Sequence, residues 1–259
     1  MREEIKQADV IVVKVGTSLL VSPETGIIET AIEQLSNVLT ELMAMGKKPI
    51  LVSSGAVGIG LTQLGNVSKQ TAAAVGQGVL TGLYEEAFRN QDQKIAQLLL
   101  DRKVFEGDES QQVFARTIEE LLAGQILPII NENDAVTIDG PEYKTKFEDN
   151  DELSLLVAEA VQADLLVMLT DVNGLYAENP AVNEEAKMFR HLCEIDERFI
   201  AETDELPTGR LSRGGIRSKL KTATGALAAN ISMVLANGQS PYVLFDILAG
   251  REVGTLFKK

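Results

Sequence analysis

A lysine stands inside an apolar run, Val12-Val13-Lys14-Val15, and Gly16-Thr17-Ser18 follows at once. Burying an ammonium among valines is costly unless it is paired. Lys14 therefore either reaches solvent from an edge strand or is held against an anion such as a phosphate. A second loop of similar character, Ser53-Ser54-Gly55-Ala56, follows the apolar run from Pro49 to Ser53. Glycines placed directly after strands let the backbone approach a ligand and aim N–H groups at anionic oxygens. In open α/β sheets ligands sit beyond the carboxyl ends of the strands. One such loop is equally well explained as a strand-to-helix turn; two of them, one carrying a lysine, point toward anion binding.

The remaining inventory excludes other chemistries. The 259 residues contain one histidine and one cysteine, His191 and Cys193. His191 stands in a segment with no partner motif, which argues against a Ser-His-Asp triad or a His-rich metal site; the two residues are too few for zinc without carboxylate help, and one cysteine cannot form an internal disulfide. Neither the P-loop nor the dinucleotide glycine pattern is present. The nearest approaches, Gly55 to Gly60 and Gly76-Gln77-Gly78, have the wrong spacing. A formal net charge of −14 argues against nucleic acid, whose phosphates need a basic surface. No signal segment opens the chain, and no apolar run approaches the ~18 residues that span a bilayer. The expectation is a soluble cytoplasmic protein with no membrane or nucleic-acid partner.

Apolar, β-branched runs predict strands over 10–15, 49–53, 95–100, 126–130, 165–169 and 231–235. Continuous runs of this kind suit strands buried on both faces. Ile28, Ile32, Leu35, Leu39 and Leu42 share one helix face, with Gly46 as the stop. Residues 110–122 repeat that periodicity with Val113, Ile118, Leu121 and Leu122, and this helix is also a candidate interface element. A helix over 150–161 would be capped by Asn150, with Asp151 and Glu152 at its positive end. Residues 217–229 are alanine-rich and helical in propensity. Residues 172–187 and 202–215 read as loops. The alternation predicts an α/β fold with a mainly parallel sheet between helix layers.

Six segments in order resemble the amino acid kinase family: 13–18, 52–56, 130–136, 149–154, 169–176 and 214–219. Asn131-Glu132-Asn133-Asp134 and Asp149-Asn150-Asp151 are the most specific, and they point to the branch that phosphorylates glutamate. The resemblance implies a three-layer αβα sandwich with a mainly parallel central sheet of about eight strands. It implies one kinase domain over 1–259, without the C-terminal PUA domain that many members carry. It implies ATP with Mg²⁺ carried by the nucleotide, a homo-oligomer (dimer or tetramer), and proline as a feedback inhibitor. Lys14 and Lys219 are then the lysines on the transferring phosphate, and Asp151 orients them. Ser54, Gly55, Asp134, Lys146, Asp149 and Asn150 would hold the substrate. Lys14, Gly16, Thr170, Asp171 and the segment Arg213, Gly214, Gly215, Ile216, Arg217, Ser218, Lys219 would hold the nucleotide. Two positions depart from the family pattern: Ser212-Arg213 in the nucleotide loop, and Glu148 where a glycine is usual.

The chemistry agrees with the inventory. A glutamate side chain has a pKa near ~4.3 and is already an anionic nucleophile at neutral pH. Its phosphorylation needs positive charge and in-line positioning more than a base, so a chain almost without histidine can perform it. Competing readings are a sister enzyme acting on acetylglutamate, aspartate, carbamate or UMP, and a non-catalytic nucleotide sensor on the same fold. Asp151 and Thr170-Asp171 also have purely local explanations, as a helix N-terminal acid and a strand-ending turn.

Overall fold

In a computed structural model of the chain, residues 2–22, 24, 26–137, 146–178, 183, 185–196, 199–200 and 215–259 are described. The chain opens with α1 (Arg2–Ile5), β1 (Val10–Val15) and α2 (Thr17–Leu20), then a small hairpin of β2 (Val21–Ser22) and β3 (Gly26–Ile27). It continues through α3 (Glu29–Ala44), β4 (Lys48–Ser53), α4 (Ala56–Leu64), α5 (Lys69–Arg89) and β5 (Lys94–Leu100). After a 3₁₀ turn at Arg102–Phe105 come α6 (Asp108–Ala123), β6 (Ile126–Glu132), α7 (Asn150–Ala160), β7 (Leu165–Thr170) and β8 (His191–Leu192). The last part is α8 (Ile216–Ala228), β9 (Ser232–Asn237), α9 (Val243–Leu248) and β10 (Thr255–Phe257).

Eight strands form one sheet in the order β5-β6-β4-β1-β7-β9-β10-β8. Its pairs are parallel except β9–β10. β1 lies inside the sheet, with Lys14 level with Val52 on β4 and Met168 on β7. That placement removes the edge-strand explanation for Lys14. Successive strand residues point to opposite faces, and the two cores follow that parity. Ile11, Val13 and Val15 pack with α3, α5 and α9. Val12 packs with α6, α7 and α8. Lys14 has the parity of Val12, so the alternation of a single strand turns it toward α7 and α8. The chain leaves β1 for β4 on one side and later returns to β7 on the other, the kind of switch point that opens a crevice at the carboxyl ends of the strands.

The helices over 29–44 and 108–123 agree with the periodicity, those over 150–160 and 216–228 with the capping and alanine signals, and Gly46 takes a left-handed φ of 80° just past the end of α3. One detail differs in α6. Its buried stripe is Phe114, Ile118 and Leu122, while Val113 is 50% exposed. Sequence patterning misses α4 and α5, because glycine lowers helix propensity and α5 alone holds Gly76, Gly78 and Gly82. Two of these glycines have a packing reason. A Cβ on Gly76 would lie 1.8 Å from the Ala56 carbonyl oxygen, and one on Gly60 would lie 1.9 Å from that of Ala72. The near-miss dinucleotide glycines thus let α4 and α5 meet backbone to backbone.

Gly76→Ala cannot be accommodated without separating these helices. It should destabilise the protein by about 3 kcal/mol, while Gly78→Ala, whose Cβ meets nothing within 4 Å, should be neutral or stabilising. Urea denaturation of both variants checks the contrast.

Candidate functional site

Among the described residues, Lys14, Ser54, Asn150, Asp151 and Lys219 gather at the carboxyl edge of the sheet. The loops after β1, β4 and β7 are tied together by backbone bonds: Ser54 N–H donates to Val15 O at 3.3 Å, and Gly16 N–H donates to Leu169 O at 3.3 Å. Gly55 caps α4 with φ 109°, a conformation that glycine adopts without strain. Gly16 needs no positive φ; a Cβ there would come within 3.9 Å of Lys14 Nζ.

At the centre lies Asp151, 2% exposed, in the first turn of α7. Its Oδ1 pairs with Lys14 Nζ and its Oδ2 with Lys219 Nζ at 3.2 Å. Lys219 comes from the first turn of α8, so three elements meet on one carboxylate. Burial pushes the Asp151 carboxyl up, but Lys14 and Lys219 together outweigh it and hold the group below its ordinary range. Asp151 therefore stays anionic at neutral pH and holds charge in place rather than exchanging a proton. Two cations around one anion leave a net positive charge in a buried corner, which suits a phosphate.

Beside this triad, Asn150 Nδ2 donates to Ser53 O at 3.1 Å, Ser54 Oγ at 2.9 Å and Asn131 Oδ1 at 2.9 Å. The expected cap is corrected here. Asp149, with extended backbone, caps α7 by accepting from the N–H groups of Asp151 and Glu152 at 2.9 and 3.1 Å. Its carboxylate is thereby engaged, and the Asn150 amide is released to cross to β4 and β6. Glu148 stands where a glycine is usual in the family, yet the backbone there makes no demand that only glycine meets. It does not have a positive φ; its N–H donates to Glu152 Oε2 at 2.6 Å and its carboxylate meets Lys221 Nζ at 2.7 Å. Arg102 closes this rim by pairing with Glu152.

Asp134, in the turn after β6, pairs with Lys69 at 2.6 Å. Thr170, buried at the end of β7, donates to Asp171 Oδ1 at 3.0 Å. Half-buried Lys146 directly precedes the buried Phe147. Gly215, Ile216, Arg217 and Ser218 lead into the buried Lys219 at the start of α8. Arg213 and Gly214 lie outside the described residues, as does Ser212. His191 sits on strand β8, its Nε2 2.8 Å from Lys258 O, a structural place, and Cys193 is exposed.

Sequence reasoning missed three residues here: Lys69, Gln77 and Glu132. Lys69 and Gln77 belong to α5, whose helix the pattern did not reveal. Glu132 stood inside a motif without a role. It is 6% exposed, and burial and then the neighbouring Asp134 charge push its carboxyl up to about 7, against the pull of Lys69 and the Phe147 N–H.

The sequence profile of the amino acid kinase family matches residues 9–237. The glutamate 5-kinase of Enterococcus faecalis is 46% identical over 270 aligned positions, covering 100% of this chain and 98% of that protein. The glutamate 5-kinase of Lactiplantibacillus plantarum is 43% identical, covering 95% and 96%. Among solved structures, the isopentenyl phosphate kinase of T. acidophilum superposes with a TM-score of 0.67 at 16% identity, covering 96% of this chain and 100% of that one. The UMP kinase of Bacillus anthracis superposes with a TM-score of 0.63 at 14% identity, covering 97% and 96%. The last two show the shared three-layer fold. No described helix is long and apolar enough to cross a membrane.

The Glu132 shift has a definite sign. Its ordinary value is 4.5 and its folded value is about 7, so the folded state binds more protons between those values. Stability is favoured below pH 4.5 and lost as pH rises through 7, by about 3 kcal/mol. Glu132→Gln should remove that loss. Its stability relative to the parent should rise by this amount between pH 5 and 8 in urea titrations; a pH-independent difference would rule the linkage out.

Proposed function

The chain belongs to the amino acid kinase family, and we propose that it is a glutamate 5-kinase whose chemistry runs on the Lys14–Asp151–Lys219 triad. It transfers the γ-phosphoryl group of ATP to the side-chain carboxylate of L-glutamate, giving L-glutamyl 5-phosphate, the first step of proline synthesis. The observation that carries the reading is one buried carboxylate holding two lysines from separate elements, in a chain 46% identical along its length to a glutamate 5-kinase.

In this reading the glutamate carboxylate oxygen forms a bond to the γ-phosphorus while the bond from that phosphorus to the β–γ bridging oxygen breaks. The leaving electron pair stays on ADP, and no proton need move. Lys14 and Lys219 offset the charge of two approaching anions, and Asp151 keeps both ammonium groups aimed. The donor set fits a nucleoside triphosphate: two ammonium groups beside glycine-containing loops, with the start of α8 carrying one of them. Mg²⁺ bound to ATP supplies further neutralisation of the phosphate oxygens. Gly16, Thr170, Asp171 and the segment from Arg213 to Lys219 are assigned to the nucleotide. Ser54, Gly55, Asp134, Lys146, Asp149 and Asn150 are assigned to glutamate, Asp149 by holding the first turn of α7. Residues 1–259 act as one kinase domain. A cytoplasmic homo-oligomer, dimer or tetramer, inhibited by proline, completes the reading; light scattering and assays with added proline examine those two points.

The direct assay incubates the protein with ATP, Mg²⁺, hydroxylamine and one acceptor at a time, so that an acyl phosphate appears as a hydroxamate. A glutamate-dependent signal is expected; a signal with aspartate or acetylglutamate alone would reassign the acceptor, and ATP binding without product would favour a sensor. Lys14→Ala and Lys219→Ala should each lower turnover by roughly 10²–10³-fold. Asp134→Ala and Asn150→Ala should chiefly raise the KM for glutamate, and a change confined to the KM for ATP would overturn their assignment.

A further inference from the structure

The Asn150 amide ends a hydrogen-bonded chain that begins on the far side of the sheet edge. Asn131 Oδ1 accepts both from Asn150 Nδ2 at 2.9 Å and from the Glu132 N–H at 2.9 Å. Asn131 Nδ2 donates to Gln77 Oε1 at 2.7 Å. Gln77 Nε2 donates to Thr81 Oγ1 at 3.3 Å, and that hydroxyl donates to the Gln77 carbonyl at 2.8 Å and accepts from Gln97 Nε2 at 2.7 Å.

The direction of every link is set by groups that cannot reverse. A backbone carbonyl only accepts, so the Asn150 atom 3.1 Å from Ser53 O is its NH₂. A backbone N–H only donates, so Asn131 turns its oxygen toward Glu132. The NH₂ of Asn131 is thereby aimed at Gln77. Asn131 is 3% exposed, so that NH₂ has little access to water, and a buried donor without an acceptor is unfavourable. With the two hydrogens of its NH₂ shared among three acceptors, the Asn150 side chain keeps only its oxygen as spare capacity, an acceptor.

We propose that Gln77 is a positioning residue for the acceptor substrate: by receiving the Asn131 NH₂ it fixes the plane and polarity of the Asn150 amide. Without that acceptor, Asn131 can satisfy its NH₂ only by rotating. Rotation breaks its bonds to Glu132 and Asn150 together, and the Asn150 amide loses its orientation. The inference rests on the assignment of Asn150 to the acceptor site made above.

Three variants test it: Gln77→Leu removes the acceptor, Gln77→Glu keeps one at the same reach, and Thr81→Val loosens Gln77 from outside. The unmodified protein is assayed first by hydroxamate formation; if another acceptor replaces glutamate, that failure belongs to the functional reading and the comparison is made on the acceptor found. Gln77→Leu should raise the KM for the acceptor about tenfold and leave the KM for ATP unchanged. Gln77→Glu should return the acceptor KM to within about threefold of the parent, and Thr81→Val should shift it in the same direction as Gln77→Leu but less. If Gln77→Leu does not fold, the Thr81→Val and Gln77→Glu values decide alone. An unchanged acceptor KM in Gln77→Leu and Thr81→Val, equal shifts for both substrates, or a Gln77→Glu variant as impaired as Gln77→Leu would overturn the proposal.

Discussion

The contact on which this site depends is the double pairing of Asp151 with Lys14 and Lys219. Three charged groups, none more than about a tenth exposed, share one corner of the interior. None could remain there alone, because an unpaired ion at that depth neutralises itself or disrupts its surroundings. Replacing one member of such a pair typically costs about 3–5 kcal/mol. A parallel sheet with helices on both faces supplies the corner: β1 brings one lysine, and the first turns of α7 and α8 bring the anion and the other. The surplus positive charge is useful only if an anionic ligand completes it.

The first turn of α7 divides its labour among neighbours. Asp149 holds the turn, Asn150 reaches across to β4 and β6, Asp151 gathers the lysines, and Glu152 anchors the rim through Arg102 and the Glu148 N–H. Consecutive helical residues point in directions about 100° apart. Four adjacent side chains can therefore serve four places, and the Asn150 amide and the paired lysine charges end up side by side. The α4–α5 pair forms the opposite wall, where backbone contact at Gly60 and Gly76 brings α5 close enough for Lys69 and Gln77 to reach β6 and the turn after it.

Much of this was legible in the residues. The six predicted strands lie in the eight-stranded sheet, and the four helices expected from apolar spacing, capping chemistry or alanine content formed within a few residues of their expected limits. The short strands β8 and β10 carry too few residues for a pattern. α5 was hidden because glycines, which weaken a helix in isolation, were selected by a contact with α4 that no local window contains. The cap of α7 was misplaced by one position, since Asp and Asn cap equally well and only the cross-sheet partners of Asn150 distinguish them.

Local composition alone determined that a lysine would be embedded in an apolar strand, that histidine and cysteine were reduced to one each, and that glycine loops would follow β1 and β4. Those are statements about residue type and short-range period, and they need no partner. Tertiary structure decided that Lys14 lies inside the sheet, that Lys219, 68 residues beyond Asp151, shares its carboxylate, and that Gln77 stands behind Asn131. Each of these depends on strand order and helix approach, which bring distant residues into contact through burial rather than through any pattern along the chain.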